Sequence, residues 1–289
     1  MRNENELVTR QLSAQELPAR FGTSPRRGRG EVAYLRKVSF RKHVPYDKNL
    51  QEIVWGQPSH LFLENPASQN TYLYQVEFVK DLSERYFARP ISELNILDWG
   101  CGKGHVTFLL RKHGAGITSC DYYTGNTPDD DSSFGQDTPI IRSAGIEVDR
   151  LHDAVELPYS NGSFDVILSF GVLEHVQSDI ESLRELRRVL RPGGILFCFN
   201  LPYFLSWTQR VSHLIGNFYH DRLYTKKSVR KLLDDTGYEL LDIWHRQLFP
   251  KNTVRYPLYR MAEKLDQALV QFTPLKYLAT NIEFVAVAR

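Results

Sequence analysis

The stretch ILDWGCGKGHV, residues 96–106, decides the fold, because an apolar segment runs into an acid and then into alternating glycines. Gly100, Gly102 and Gly104 let the backbone turn sharply and approach a ligand closely. We predict a helix after them, and its N-terminus would offer free N–H groups to an anionic part of that ligand. Asp98 would repel a pyrophosphate, whereas it suits a ligand with an ammonium group. The stretch therefore predicts a loop for a cofactor without phosphate groups.

Two kinds of phosphate-binding loop disagree with this stretch. The dinucleotide fingerprint G-x-G-x-x-G needs its third glycine where this chain has His105. A P-loop needs Gly-Lys followed by Ser or Thr, whereas Lys103 is followed by Gly104. An NAD(P)-dependent oxidoreductase would share the fold class, but the spacing of the glycines speaks against it.

The composition is that of a globular protein. Of 289 residues 42% are hydrophobic and 24% are charged, which is enough for a full core. The start MRNENELVTR has no apolar signal region, and the longest apolar stretch, residues 195–205, is too short to span a bilayer. Cys101, Cys120 and Cys198 form neither a disulfide pattern nor a zinc pattern. We therefore expect a cytoplasmic protein without a transmembrane segment, for which peripheral contact with a membrane stays open.

The distribution of charge divides the chain. Residues 1–58 lack a sustained hydrophobic period. The segment from Arg20 to Lys42 contains eight basic residues and a single acid, Glu31. We predict a basic, partly irregular N-terminal arm here. Residues 59–289 are predicted to form one domain, and the acidic segment from Asp121 to Asp165 would not attract a polyanion.

Strand-like segments alternate with helical ones through this domain, a pattern typical of α/β proteins. The predicted strands are LNILDW, GITSCD, IEVDRLHD, SFDVILSF, GILFCFN, YELLDIWHRQLF and NIEFVAVAR. They predict a doubly wound, mostly parallel sheet of seven strands, and the helix IESLRELRRVLRPGG should end at Gly193 and Gly194. Segments at about residues 201–224 and 250–280 interrupt the alternation. We predict both as lids, because ligands bind at the carboxyl ends of such strands.

The pattern D-x-G-x-G-x-G after an apolar strand resembles motif I of the class I S-adenosylmethionine-dependent methyltransferases. Other segments resemble that family in the same order, namely the acid that ends the second strand, HDAVELPYSNGSFDVILSFGVLEHV and LRELRRVLRPGGILF. The resemblance covers residues from about 70 to 289 and implies a Rossmann-like methyltransferase fold with S-adenosylmethionine as cofactor. It implies that Asp121 binds the ribose hydroxyls, that Asp153 binds the adenine amino group and that Ala154 lies near the ring.

The expected cofactor site also contains Asp98, the three glycines of the loop and Phe170 at the end of the fourth strand. S-adenosylmethionine carries a net charge of about +1, so a site rich in carboxylates suits it electrostatically. Other roles stay open for two of the acids. Asp98 could cap its own turn, and Asp153 could cap the residues that follow it.

A hydroxyl acceptor must lose its proton during methyl transfer, so a base is expected. GVLEHV, residues 171–176, and FYHDRLYT, residues 218–225, resemble segments of small-molecule O-methyltransferases such as those of ubiquinone biosynthesis. The resemblance implies Glu174, His175 and His220 as candidate catalytic residues, although both histidines also fit a structural role. The family pattern has an acid near a metal where this chain has Gly171, so we expect no metal.

The first predicted lid is rich in aromatic and aliphatic residues, which favours an apolar or sugar-bearing acceptor. We therefore expect methylation of a hydroxyl on a small-molecule, sugar or lipid-linked acceptor, with no specific nucleic-acid partner. Two alternatives stay open. The basic arm would suit an RNA or protein methyltransferase, and without a certain base the protein could be a catalytically silent cofactor-binding scaffold.

Overall fold

The structure, a computed structural model, describes most of the chain. The described residues are 25–41, 47–57, 60–122, 138–153, 155–216, 220 and 222–289. Among the predicted site residues, Ala154 lies outside this set.

Helices and strands alternate after a helical N-terminal part. The helices are α1 (Pro25–Arg41), α2 (Lys48–Val54), α3 (Leu61–Glu64), α4 (Pro66–Phe87), α5 (His105–Arg111), α6 (Pro139–Ala144), α7 (Asp179–Val189), α8 (Trp207–Leu214), α9 (Lys226–Asp235) and α10 (Tyr259–Phe272). The strands are β1 (Ile96–Trp99), β2 (Ile117–Tyr122), β3 (Val148–Leu151), β4 (Phe164–Phe170), β5 (Leu190–Pro202), β6 (Tyr238–Arg246) and β7 (Asn281–Ala288). Short 3-10 helices cover Ile91–Glu93 and Pro274–Leu278.

The strands form one sheet in the order β3-β2-β1-β4-β5-β7-β6. Only β7 runs against its neighbours among the described strands, and the other pairs are parallel. Because β5 and β6 are both antiparallel to β7, they point in the same direction. The prediction of a seven-stranded, mostly parallel sheet is confirmed. Its topology brings the carboxyl ends of β1 to β6 to one edge, where loops and lids meet.

Helix α4 closes one face of this sheet. The side chain of Asn65 caps its N-terminus, and Pro66 occupies the first turn, where its missing N–H costs nothing. The ring of Phe78 packs edge-on against Phe197 and Trp244, with ring centroids 6.0 Å and 5.8 Å away. These contacts bury the apolar side of α4 against β5 and β6.

Helix α7 ends at Val189, so the predicted end at Gly193 and Gly194 is wrong. The backbone of Leu190 pairs with Phe164 of β4, and the chain therefore joins the sheet at this point. A Cβ on Gly194 would lie 2.7 Å from Cγ of Leu190, so this glycine serves close packing within β5 instead.

The described part of the N-terminal arm is more regular than its composition indicates. Helix α1 packs against α4 and β6, and its side chains of Val32 and Leu35 are buried in the main core. Ion pairs hold it as well, with Glu31 2.6 Å from Arg85 and Arg36 3.4 Å from Asp242. The packed face explains the helix, because side chains three positions apart, such as those of Val32 and Leu35, share one side of an α-helix. The domain boundary at residue 58 stays a prediction.

The two predicted lids contain α8 and α10. A backbone bridge between Tyr203 and Tyr224 closes the base of the first segment, and the indole of Trp207 donates to the carbonyl of Leu248. Within the second segment, the buried ammonium of Lys251 forms ion pairs with Glu263 and Asp266 of α10. That they close over a ligand stays a prediction. Within the described ranges, the structure contains no helix with the length and apolar character needed to cross a bilayer.

Candidate active site

The glycine loop between β1 and α5 has the conformation that its sequence predicts. Gly100, Gly102 and Gly104 all have positive φ, at 69°, 52° and 76°. A Cβ on Gly100 would lie 2.6 Å from the side chain of Val172, and one on Gly104 would lie 2.6 Å from Ile141. All three positions therefore favour glycine for backbone conformation, and Gly100 and Gly104 are also needed for close packing. The contact with Val172 also places the loop against the segment that follows β4.

The carboxylate of Asp98 is buried at the end of β1, with only 1% of the residue exposed. Its Oδ2 accepts a hydrogen bond of 2.6 Å from the hydroxyl of Thr107, which lies 2.9 Å from the hydroxyl of Ser119. Burial raises the pKa of Asp98 to about 6, although the bond from Thr107 acts in the opposite direction. A positively charged group of a ligand beside Asp98 would stabilise the ionised carboxylate. The buried carboxylate therefore favours binding of such a group.

Asp121 at the end of β2 holds the glycine loop. Its Oδ2 accepts from the amide of Gly102 at 2.6 Å, and its Oδ1 accepts from the amide of Tyr122 at 2.8 Å. Burial raises the pKa of Asp121, while the two amide hydrogen bonds lower it. The side chain thus positions the loop and keeps further lone pairs for a ligand.

Asp153 and Phe170 have contrasting surroundings. Asp153 is exposed, and its Oδ1 accepts from the amides of Val155 and Glu156, at 2.7 Å and 2.8 Å. These amides lower the pKa of Asp153, so the capping role left open by the sequence is present. Phe170 is half-buried at the end of β4 and packs on Phe199, with ring centroids 4.7 Å apart.

The three predicted catalytic residues lie together at the same edge of the sheet. Oε1 of Glu174 lies 3.9 Å from Nε2 of His175 and 4.0 Å from Nε2 of His220. The two imidazole rings are 5.1 Å apart between centroids. Glu174 and His175 follow β4, whereas His220 comes from the first lid segment. We call these three residues the carboxylate–histidine cluster.

The environment of the cluster changes its protonation. Burial raises the pKa of Glu174 to about 7, against a smaller lowering effect of Arg222. Its Oε2 is buried without a hydrogen-bond partner among the described residues. Burial also lowers the pKa of His175. The cluster therefore combines a carboxyl group that titrates near neutral pH with an imidazole that stays neutral there.

Other side chains position the cluster. The side-chain amide of Gln209 contacts His220 twice. Its Nε2 lies 2.9 Å from Nδ1 of His220, and its Oε1 accepts from the backbone N–H of His220 at 3.0 Å. The guanidinium of Arg222 donates to three backbone carbonyls of residues 173–177. The hydroxyl of Tyr224 donates to one of these carbonyls, that of Leu173, at 3.1 Å. The first lid segment is thereby fixed to the loop that carries Glu174.

The cluster also has the composition of a metal site. One ligand atom from each of Glu174, His175 and His220 lies within 4.8 Å of the others, which would suit a divalent cation. Gly171 stands where the family pattern has an acid, and for this reason the sequence predicts no metal. The third possible ligand, His220, comes from the lid and meets Glu174 only in the folded chain.

Sequence reasoning missed several residues that shape the site. Thr107, Gln209 and Arg222 act through hydrogen bonds to residues that are distant in sequence. Arg222 lies within the quoted segment FYHDRLYT, but its three carbonyl partners become visible only once this segment packs on the loop after β4. The sequence indicates a role for Thr107 only weakly. A hydroxyl in the first turn after a glycine loop can reach back to the preceding strand.

The sheet order, the glycine loop after β1 and the acid at the end of β2 together define a class I S-adenosylmethionine-dependent methyltransferase. A family model described as "Methyltransferase domain" matches residues 71–243, and the chain belongs to this family. Its cofactor is accordingly S-adenosylmethionine, and the resemblance inferred from the motifs is confirmed.

Curated relatives and solved structures agree with this membership. The chain is 28% identical over 208 residues to a "Ubiquinone biosynthesis O-methyltransferase" of Dinoroseobacter shibae, covering 65% of this chain and 76% of the relative. It is 30% identical over 213 residues to a protein of the same name from a Ruegeria species, covering 65% and 78%. In six further relatives of that name the match covers 55% to 66% of the relative's length.

The fold is also that of a solved S-adenosylmethionine-dependent methyltransferase from Thermotoga maritima, described as a possible histamine N-methyltransferase. The TM-score is 0.52 at 16% identity, and the match covers 83% of this chain and 99% of the solved one. At this identity the likeness establishes the fold and not the acceptor.

Proposed function

We propose that the protein methylates a hydroxyl group of a small-molecule, sugar or lipid-linked acceptor and that the carboxylate–histidine cluster removes the hydroxyl proton. The observation that carries the proposal is the convergence of Glu174, His175 and His220 beside the glycine loop. The curated relatives are named as O-methyltransferases, which supports transfer to oxygen. Within the cluster, Glu174 is buried whereas His175 is exposed, so an acceptor can reach the imidazole from solvent.

The cofactor would lie over the glycine loop, with its ammonium group near Asp98 and its ribose hydroxyls on Asp121. We further propose contacts of the adenine with Asp153, Ala154 and Phe170. In support, Asp98 has a buried carboxylate without a cationic partner among the described ion pairs, and Asp121 has lone pairs left beyond its two amide bonds. Methyl transfer then depends on alignment of the sulfonium with the acceptor oxygen and on exclusion of water.

In this proposal the proton of the acceptor hydroxyl moves to Nε2 of His175, because the amide of Gln209 donates to Nδ1 of His220 and leaves the proton of neutral His220 on Nε2. The pKa of His175 is lowered, so this imidazole is neutral and free to accept a proton near pH 7. Ionised Glu174, about 4 Å from both rings, would stabilise the imidazolium that forms. In the alternative to this base mechanism, the same three residues would hold a divalent cation, which would increase the acidity of a bound hydroxyl.

A screen with labelled cofactor tests the proposal. Pooled phenols, glycosides and polyprenyl-linked phenols would be incubated with the protein and S-adenosylmethionine, and products would be detected by their gain in mass. We expect a methyl ether, which nuclear magnetic resonance distinguishes from a methylamine and which, unlike a methyl ester, withstands mild alkaline hydrolysis. Methylation of RNA or of protein side chains in the same assay, with none of the hydroxyl pool, would contradict it.

We place the protein in the cytoplasm. Cys101, Cys120 and Cys198 are free and buried, which fits a reducing compartment. A search for the methylated product in soluble and membrane fractions of cells expressing the protein checks this assignment.

A further inference from the structure

A cavity lies at the carboxyl end of β6. Its volume is about 220 Å³, several times the space of one water molecule. Its walls come from α1, the start of α9, the end of β6, α10 and the 3-10 helix before β7. None of its lining residues belongs to the glycine loop or to the carboxylate–histidine cluster. We call it the β6 cavity.

Basic side chains dominate the walls of the β6 cavity. They are Arg36, Lys37, Lys226, Arg246 and Lys276. The acid in the lining is Asp266, and it is already engaged. Its Oδ1 accepts from the amides of Leu248 and Phe249, and its Oδ2 lies 2.8 Å from the ammonium of Lys251.

Two of the five basic side chains have acidic partners. Arg36 lies 3.4 Å from Asp242, and Arg246 lies 3.6 Å from Glu263. By contrast, neither Lys226 nor Lys276 forms an ion pair with any residue that the structure describes. The cavity thus contains more positive charge than its own walls neutralise.

A buried histidine supplies a second, independent sign of a missing ligand. Only 7% of His245 is exposed, and its Nδ1 is buried without a hydrogen-bond partner among the described residues. Its ring stands edge-on to Tyr203 and Tyr277, with centroids 4.7 Å and 5.6 Å away. A polar atom buried in this way lacks the stabilisation of a hydrogen bond, which a ligand in the cavity would provide.

The basic groups also disturb one another. The pKa of Lys226 is lowered to about 8, first by burial and then by Arg36, Arg230 and Lys276, against an opposing effect of Asp242. Burial lowers the pKa of His245 to about 4, and Lys226 and Lys276 add to this. An anion in the cavity would attract these basic groups and so raise their pKa values.

We propose that the β6 cavity is a binding site for a phosphate-type anion. Lys226 and Lys276 would neutralise its charge, and His245 would share a hydrogen bond with it once the imidazole turns Nδ1 toward the cavity. The buried ring of Trp244 lies under the guanidinium of Arg36, 4.5 Å from the ring centroid, and so holds this guanidinium at the cavity.

The phosphoryl group would be either part of the acceptor or a free inorganic anion. The order β4-β5-β7-β6 puts three strand spacings, roughly 14 Å in all, between the ends of β4 and β6. An elongated acceptor would therefore reach both the cluster after β4 and the β6 cavity. This acceptor-borne case rests on the proposed function, whereas binding of the anion itself does not.

The test is a calorimetric titration at constant ionic strength with inorganic phosphate, pyrophosphate and phenyl phosphate, in the absence of cofactor. We expect saturable binding that is at least tenfold weaker in Lys226→Gln/Lys276→Gln. Lys227→Gln is the matched control, because this exposed neighbour does not line the cavity. Melting temperatures of all variants establish that they are folded, and the ¹⁵N resonances of His245 should shift on binding.

The relative affinities of phenyl phosphate and inorganic phosphate distinguish the two sources of the anion. Phenyl phosphate binding at least tenfold tighter than inorganic phosphate supports a phosphate ester, and phenol alone serves as its control. Equal or weaker binding of phenyl phosphate supports a free anion. Absence of saturable binding by all three probes, or equal affinity in the double variant, would overturn the proposal. Because no turnover is measured, this failure is distinct from failure of the proposed methyl transfer.

Discussion

Oε1 of Glu174 lies 4.0 Å from Nε2 of His220, so the loop after β4 and the first lid segment meet at one point of the sheet edge. The lid is held there by Arg222 and by the bridge between Tyr203 and Tyr224. The cluster thus draws its side chains from separate parts of the chain. Any movement of the first lid segment would change the distance between Glu174 and His220, so closure of the predicted lid would affect the proposed chemistry.

The first prediction concerns the histidines. Once an acceptor is known, His175→Ala or His220→Ala should lower turnover at least a hundred-fold, because a positioned base contributes about a hundred- to ten-thousand-fold. Cofactor affinity, measured by calorimetry, should change little. His113→Ala is the control, since this residue pairs with Glu77 outside the site. Near-normal turnover in both variants would show that the cluster does not supply the base.

The second prediction concerns pH. The pKa of Glu174 is raised to about 7, so the carboxyl is protonated below this pH and ionised above it. Since the ionised form stabilises the imidazolium, turnover should rise as the pH increases through about 7. Glu174→Gln should remove this rise and lower the plateau. Loss of turnover on chelation, with recovery on adding a divalent cation, would instead assign the cluster as a set of metal ligands.

Much of the fold could be predicted because its signals are local. The spacing of the glycines and the apolar runs of the strands each depend on neighbours in sequence, and they predicted the number of strands and their succession along the chain, but not their order in the sheet. The predicted ends of helices and strands were less accurate. Strand β6 stops at Arg246 because Gln247 adopts a φ of 63°, whereas its sequence continues the apolar alternation to Phe249.

Residues whose role depends on distant partners could not be predicted in the same way. Val32 of α1 is buried only because α4 and β6 lie beside it, so the local charges suggested an irregular arm. The three candidate catalytic residues were chosen singly by resemblance. That they form one cluster depends on the packing of the lid, and this left the metal-ligand geometry invisible in the sequence.

The third prediction concerns Asp121. Asp121→Ala should weaken cofactor binding roughly ten- to a hundred-fold, because a charge-assisted hydrogen bond contributes about 1.5–3 kcal/mol. The structure adds a second effect, since the side chain also holds the amide of Gly102. The melting temperature of the cofactor-free protein should therefore fall as well. Asp121→Asn keeps one acceptor for this amide and should restore most of the stability but not the affinity.

The fourth prediction concerns the N-terminal arm. Deletion of residues 1–24 should leave cofactor affinity unchanged, because the residues that bury α1 against the core are retained. Binding of unstructured RNA by the full chain should be weak and steeply dependent on salt. Filter binding at 50 mM and 200 mM salt would be the measurement. Tight RNA binding at the higher salt that is lost on deletion would favour the RNA methyltransferase alternative.

The last prediction concerns Asp98 and separates its structural role from its role toward the cofactor. Its pKa is raised to about 6 in the folded protein, above the value of 3.8 for a free side chain. Between these values the folded protein retains a proton that the unfolded chain releases, so this group lowers the stability of the cofactor-free protein as the pH rises toward 6. A cationic group of the cofactor favours the ionised form. Binding should therefore release a proton, and affinity should increase up to about pH 6 and then level off.

Asp98→Asn tests both effects in one variant. At pH 7 it removes a buried charge, so the melting temperature of the cofactor-free protein should stay equal or rise. Affinity for S-adenosylmethionine should fall roughly ten- to a hundred-fold, and its dependence on pH between 5 and 7 should disappear. Asp235→Asn, on the exposed side of α9, is the control for charge alone. If Asp98→Asn binds the cofactor like the original protein, the carboxylate serves only to hold Thr107.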